Sequence, residues 1–385
     1  MFLKRSLAFI LVVVLCMSFV ACGKNNGTGA NQNSTPSPSG SAVTADPSSE
    51  PSKKFGEGKR IMLALNALGD LSFNDLLYEG LLAAEKELGF DVSYSEVGTD
   101  ISTYEGYFFD FCAEGYDYVF LRSGFLDLCK KYAADYPDMK FIVYDTTSMD
   151  ECEADNVYLY ATASFESAYL IGMAAAGTSK TGVIGFVGGQ ENPVINDFLV
   201  GYIQGAKAYN PNIKVCSAFI GNYNDTAKAL EIATSQIKTY NADVVFAVCG
   251  GASLGVFQAC YDNNVFAIGC DADQYVVYNK KGEAKLAENI ITSCLKKMDS
   301  SVLNIMTWIS EGKDIFTDTK AVPLGLRDGV VGIADNENYR KFVPEEVRTK
   351  IAAAEKDIIN GTVKVQTAYK MTQSEIDALV ESVTP

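Results

Sequence analysis

From Arg60 onward the chain alternates short apolar runs with stretches whose apolar residues recur at helical spacing. Arg60–Leu65 (RIMLAL) reads as a strand. Phe73–Leu88 reads as a helix that turns Leu76, Leu77, Gly80, Leu81, Ala84 and Leu88 inward. The alternation continues with strands over 92–96, 118–121, 140–144 and 157–160, and with helices over 104–114, 126–136 and 164–177. The helix over 164–177 carries small residues along one face.

A second cycle opens at Thr181–Val215. Val183–Val187 predicts a buried strand, Gly188-Gly189 breaks it, and a helix follows from Asp197 with Phe198, Val200, Gly201, Ile203 and Ala206 at helical spacing. Strands over 214–220, 244–248, 266–269 and 290–293 then alternate with helices over 226–240, 253–263 and 295–309. Strands and helices alternating at this spacing predict βαβ units and parallel sheets, hence an α/β class. Residues 59–385 exceed what one core usually holds, so two lobes are expected.

The first 57 residues break the pattern. Lys4 and Arg5 precede the apolar run Leu7–Val20, which is too short for a membrane span and ends in small residues before Cys22. This reads as a signal peptide over 1–21. The cysteine at its end resembles a bacterial lipobox, which implies cleavage before Cys22 and a lipid on its sulfur. Residues 22–57, rich in Asn, Ser, Thr, Gly and Pro, read as a disordered tether.

Charge and composition narrow the function. The chain has formal charge −16 and no histidine. Nucleic acid, which needs a basic surface, is a poor partner. Ser-His-Asp and Cys-His catalysis and most zinc sites lack their imidazole. Beyond Cys22 the cysteines are dispersed, with no Cys-x-x-Cys pair, and most lie in apolar runs as small hydrophobes. No cofactor motif is present: there is no P-loop and no His-Glu-x-x-His.

In open α/β sheets, ligands sit beyond the carboxyl ends of the strands. The residues there are Asp70–Asp75, Ser123-Gly124, Asp145, the 188–198 loop, Asn222–Asp225, Gly250–Ser253, Asp271–Gln274 and Thr292–Lys297. Aromatics, carboxylates, amides and glycines suit a flat, uncharged ligand rich in hydroxyls, stacked on rings and held by carboxylates.

The segments GDLSFNDLLYEG, TGVIGFVGGQENPVINDFLVGYIQGAKAYNPNIKV, CGGASLGVFQAC and IGCDADQ, in this order, resemble the basic membrane protein family of lipoproteins. These are substrate-binding proteins of ABC importers, of the purine-nucleoside-receptor type. The resemblance implies the type I periplasmic-binding-protein fold: two doubly wound α/β lobes with parallel sheets, joined by a three-stranded hinge. The lobes expected are 58–160 with 289–318, and 161–288 with 319–385. It also implies a purine nucleoside such as guanosine, adenosine or inosine in the cleft, a membrane permease as partner, a lipid anchor on the extracytoplasmic face, a monomeric state, and capture without catalysis.

Carried over by position, Phe73 stacks the base and Phe198 clamps its other face; both also fit core packing. Asn74 with Asp70 or Asp75 bonds base edges or ribose, and one of these caps the helix instead. Asp145 contributes a ligand carboxylate or forms a turn. Asp271 takes the ribose hydroxyls, Gly250-Gly251 lets backbone approach the ligand, and Tyr223 adds to the wall. Lys296 or Lys297 reaches the cleft or is a solvated lysine at the start of a helix. Tyr223, Cys249, Cys270 and Cys294 depart from the family pattern, so riboflavin, a sugar-like ligand or a signalling molecule stays open on the same fold. A nucleoside hydrolase or phosphorylase is the reading from another class.

Overall fold

The computed structural model describes residues 53–385. The expected signal peptide, Cys22 and nearly all of the expected tether lie outside the described residues. Packing begins before the tether's expected end at 57. The Phe55 ring meets Phe90 edge-on at 5.9 Å, and the Gly56 amide donates to Leu88 O.

The first cycle comprises strands β1 (Arg60–Leu65), β2 (Asp91–Glu96), β3 (Tyr118–Arg122), β4 (Lys140–Thr146) and β5 (Val157–Thr162). Helices α1 (Phe73–Leu88), α2 (Tyr104–Glu114) and α3 (Leu126–Tyr132) connect them. After α4 (Ser164–Thr178) the second cycle runs through β6 (Val183–Gly188), α5 (Pro193–Tyr209), β7 (Lys214–Phe219), α6 (Thr226–Tyr240) and β8 (Val244–Val248). It continues with α7 (Ser253–Asp262), β9 (Phe266–Asp271), α8 (Gln274–Lys280), α9 (Ala284–Ala287) and β10 (Ile290–Lys296). The chain ends with α10 (Met298–Ser310), β11 (Val322–Leu324), β12 (Val331–Ile333), α11 (Glu337–Phe342), α12 (Glu345–Ile359) and α13 (Gln373–Glu381).

Two six-stranded sheets form, in the orders β11-β5-β4-β3-β1-β2 and β12-β10-β9-β8-β6-β7. The first is parallel throughout; in the second, β12 runs antiparallel to β10. The central strands β1, β3 and β8 are buried almost end to end, as strands covered by helices on both faces must be. This is the two-lobed α/β architecture of the type I periplasmic-binding fold.

Strand pairing divides the chain differently from the expectation at two places. The expected boundary places residues 290–296 in the first lobe, but β10 pairs with β9 and β12 in the second sheet. It places residues 322–324 in the second lobe, but β11 pairs with β5 in the first. The three crossings fall between β5 and α4, between β10 and α10, and after β11 at Gly325. They follow from where each strand finds its backbone partners, which one-dimensional periodicity does not encode.

The helices settle onto their own lobes. Gly80 of α1 sits where a Cβ would lie 2.4 Å from Asp299 O, so α10 packs tightly on α1. The small-residue face of α4 meets α5 just as closely: a Cβ on Gly205 would approach Tyr169 O to 1.8 Å. Helix α5 starts earlier than expected. Asn192 caps it by accepting the Val194 and Ile195 amides, and Pro193 fills its first position. Helix α10, by contrast, starts at Met298 because β10 runs on through Lys296.

Candidate functional site

Between the lobes, above the carboxyl ends of both sheets, lies a cavity of about 630 Å³. The first lobe contributes Asn66 after β1, Asp70, Phe73 and Asn74 around the start of α1, Arg122 at the end of β3, Asp145 in β4, and Thr147 and Asp150 beyond it. The second lobe contributes Gln190, Asn192 and Phe198 around α5, Asn222 and Tyr223 after β7, Gly250-Gly251 after β8, Asp271 and Lys296.

The turn before α1 is built by its carboxylates. Asp70 Oδ1 accepts from the Ser72 and Asp75 amides, and Oδ2 accepts from the Asn74 amide and its Nδ2. Asp70 therefore caps the helix while lining the cavity. Asp75 accepts from the Gly69 and Leu71 amides at 2.7 and 2.9 Å and braces the loop. It is not among the residues lining the cavity, so its expected contact with a ligand is corrected. Its spacing in GDLSFND does not distinguish bracing from binding. Asn74 Oδ1 accepts the Asn66 amide, tying the turn to the end of β1.

Asp145 and Asp271 occupy matching places. Each sits at the carboxyl end of its strand in a left-handed backbone conformation, at φ 60° and 64°. Non-glycine residues adopt that region rarely, and such backbone is concentrated at functional sites. Lys296 is bonded to the first of them: its ammonium meets Asp145 Oδ1 at 2.5 Å, and its side chain is only 3% exposed. The same ammonium lies 4.8 Å from the Phe73 ring centroid and 6.0 Å from that of Phe198. Lys297 instead turns out of the strand at the start of α10.

Burial works against the charge on Lys296, yet Asp145 and Asp271 outweigh it and the ammonium holds its proton more tightly than usual. Burial pushes the Asp271 carboxyl up to about 6, opposed by Lys296 and by the Ser72 hydroxyl. Burial also pushes the Cys249 thiol, behind Gly250, up to about 12. All eight described cysteines are buried and unpaired.

The lobes touch across the cavity's edge. The Ser72 hydroxyl donates to Asp271 Oδ2 at 2.6 Å, and Gln274 Nε2 donates to Leu71 O at 2.9 Å. Gly251 stands close enough to the first lobe that a Cβ there would lie 3.8 Å from Asp70 Cα. Gly250 has φ 57°, a conformation that favours glycine. Tyr223 leans over Gly189, where a Cβ would sit 2.3 Å from its ring, and its hydroxyl accepts from Asn192 Nδ2.

Of the residues predicted to line a cleft, Phe73, Asn74, Asp70, Asp145, Phe198, Tyr223, Gly250, Gly251, Asp271 and Lys296 surround this one cavity. Sequence reasoning passed over Asn66, Thr99, Arg122 and Asp150, which line it too. A lone arginine closing the apolar run YVFLR was the available signal for Arg122.

The comparisons with known proteins agree with this architecture. Residues 59–368 match the model of the Bmp family, described as ABC transporter substrate-binding protein PnrA-like. The chain belongs to the Bmp family. It is 31% identical over 322 residues to the ABC transporter nucleoside-binding protein BmpA of Lactococcus lactis subsp. cremoris, covering 79% of this chain and 88% of that protein. It is 30% identical over 302 residues to basic membrane protein A of Borreliella afzelii, covering 77% and 87%. Among solved structures, an ABC transporter solute-binding protein from Aeropyrum pernix superposes with TM-score 0.73 at 23% identity, over 84% of this chain and 97% of that one. That likeness concerns the fold. The Bmp protein described here is thus an ABC transporter substrate-binding protein.

Proposed function

We propose that this Bmp protein captures a purine nucleoside (guanosine, adenosine or inosine) between its lobes and delivers it to the permease of an ABC importer. The observation that carries the reading is the pair Phe73 and Phe198. They come from different lobes, and both rings lie within 6.0 Å of one ammonium. A flat base stacked on the Phe73 ring meets an aromatic face from the first lobe, and Phe198, 2% exposed, backs the wall of the same cavity from the second. Asp271 is the acceptor for the ribose hydroxyls, with Asp145, Asn74 and Asn66 available to base edges. A related protein's name, nucleoside-binding, points the same way.

The mechanism is hinge closure: a ligand that touches both lobes favours the closed form, which docks on the permease. Nothing is converted. In this reading the protein is a monomer held on the outer face of the cell membrane by the lipid on Cys22, with the chain that follows Cys22 as spacer. Among the described residues no helix is long and apolar enough to cross a membrane.

Calorimetry with guanosine, inosine, adenosine, riboflavin and ribose tests the ligand class. A purine nucleoside should bind, and Asp271→Ala should lose on the order of 2–4 kcal/mol through its charge-assisted hydrogen bonds. Binding of riboflavin or ribose in place of nucleosides overturns the ligand, and free hypoxanthine accumulating from inosine overturns capture without turnover. The absence of a palmitate-type adduct on Cys22 in mass spectra of membrane-extracted protein overturns the anchor.

A further inference from the structure

Arg122 stands in the cavity wall with most of its hydrogen-bonding capacity unspent. It is the last residue of β3, in register with Tyr144 of β4, directly before Asp145. The Tyr144 ring lies 6.0 Å from that of Phe73, and Phe73 and Arg122 both line the cavity on the first lobe's side. One guanidinium nitrogen, Nη1, donates to Tyr104 Oη at 2.7 Å and to Gly98 O at 3.3 Å, which anchors the side chain from behind. Among the described residues neither Nε nor Nη2 has a hydrogen-bond partner, and no carboxylate forms an ion pair with Arg122. Lys296, the other cation in the wall, is committed to Asp145.

A guanidinium carries only donors, and its fork matches two adjacent acceptors on a ligand edge. Two ligand chemistries offer such acceptors: the keto oxygen and ring nitrogen of a 6-oxopurine, or an anionic phosphate. The charge of the wall decides between them. Four carboxylates, of Asp70, Asp145, Asp150 and Asp271, face the cavity against the two cations Arg122 and Lys296. That surplus of negative charge opposes a phosphate and leaves an uncharged keto edge free to approach.

We propose that Arg122 is a specificity determinant that selects 6-oxopurine nucleosides, guanosine and inosine, over adenosine. The O6 and N7 acceptors of an oxopurine satisfy both free donors. The 6-amino group of adenine is itself a donor and faces the guanidinium without a bond. This inference rests on the nucleoside reading above and narrows it.

The test is calorimetry of the full chain and of Arg122→Met and Arg122→Lys with inosine, guanosine, adenosine and guanosine 5′-monophosphate. Thermal melts establish that each variant is folded. The wild-type chain should prefer inosine to adenosine by on the order of tenfold or more, the discrimination a bidentate arginine–purine contact provides. In Arg122→Met that ratio should collapse towards one, and Arg122→Lys should keep part of it. If the wild-type chain shows no such preference, or Arg122→Met weakens inosine and adenosine equally, the inference fails while the nucleoside reading stands. Tighter binding of the monophosphate than of guanosine, lost in Arg122→Met, also overturns it in favour of a phosphate site. If no purine nucleoside binds the wild-type chain, the nucleoside reading itself is wrong and the inference falls with it.

Discussion

Ser72 of the first lobe donates its hydroxyl to Asp271 of the second at 2.6 Å, so the carboxylate at the head of the cleft is also a latch between the lobes. The contact is short and charge-assisted, and such bonds contribute about 1.5–3 kcal/mol. It works together with the bond from Gln274 to Leu71 O, which closes the same edge. Ser72→Ala should therefore shift the protein towards an open form. We expect a larger radius of gyration in small-angle scattering without ligand, and nucleoside affinity weakened several-fold. Unchanged scattering and affinity would mean that the latch is incidental.

The Asp271 carboxyl, raised to about 6 by burial, brings the cleft under the control of pH. Ligand hydroxyls donate best to the ionised form, so a bound nucleoside favours loss of the proton. Affinity should hold at and above neutral pH and fall as pH drops through about 6. Calorimetric titrations between pH 5 and pH 8 measure this directly. A flat profile would separate Asp271 from the ligand.

Asp197 gives a second, distinct pH effect, on stability. It is fully buried, and that burial pushes its carboxyl up to about 7, against the bonds it accepts from Thr367, Ala368 and Phe165. The folded protein therefore holds this proton more tightly than the unfolded chain does. Its contribution to stability is greatest below the unfolded value and declines as pH rises through about 7. Asp197→Asn, which mimics the neutral acid, should flatten that part of the stability–pH curve in denaturant melts. A wild-type curve that rises from pH 5 to pH 7 and is unaffected by the substitution would contradict the assignment.

Much of the fold was legible in the sequence because it is local. The apolar runs of β1, β6 and β8 and the apolar stripe of α1 carry their own periodicity, and strand ends in an α/β chain mark the cleft. Phe73, Asp145 and Asp271 were found in this way. What was not legible depends on pairing at long range. Nothing in Ile290–Lys296 says that it will join β9 and β12, and so Lys296 read as the start of a helix rather than the end of a strand. Asp70 and Asp75 are chemically alike, and only the folded turn shows which one faces the cavity. Arg122 was overlooked because an arginine at the end of a strand is ordinary until its unpaired nitrogens are seen.

The approach of α4 to α5 fixes where Phe198 stands, and it depends on glycine. A Cβ on Gly201 would come within 2.3 Å of Phe165 O, and one on Gly172 within 2.1 Å of Tyr202 O. Both obstacles are backbone atoms, which do not swing aside as a side-chain end would. Gly201 is also one turn from Phe198 along the same helix, so displacing α5 moves the ring. Gly201→Ala should cost at least the 1–3 kcal/mol typical of overpacking, seen as a lower midpoint in denaturant melts. It should also weaken nucleoside binding in the fraction that remains folded, because Phe198, which lines the cavity, is displaced with the helix. A destabilised Gly201→Ala protein with unchanged affinity would show that Phe198's position does not depend on this contact.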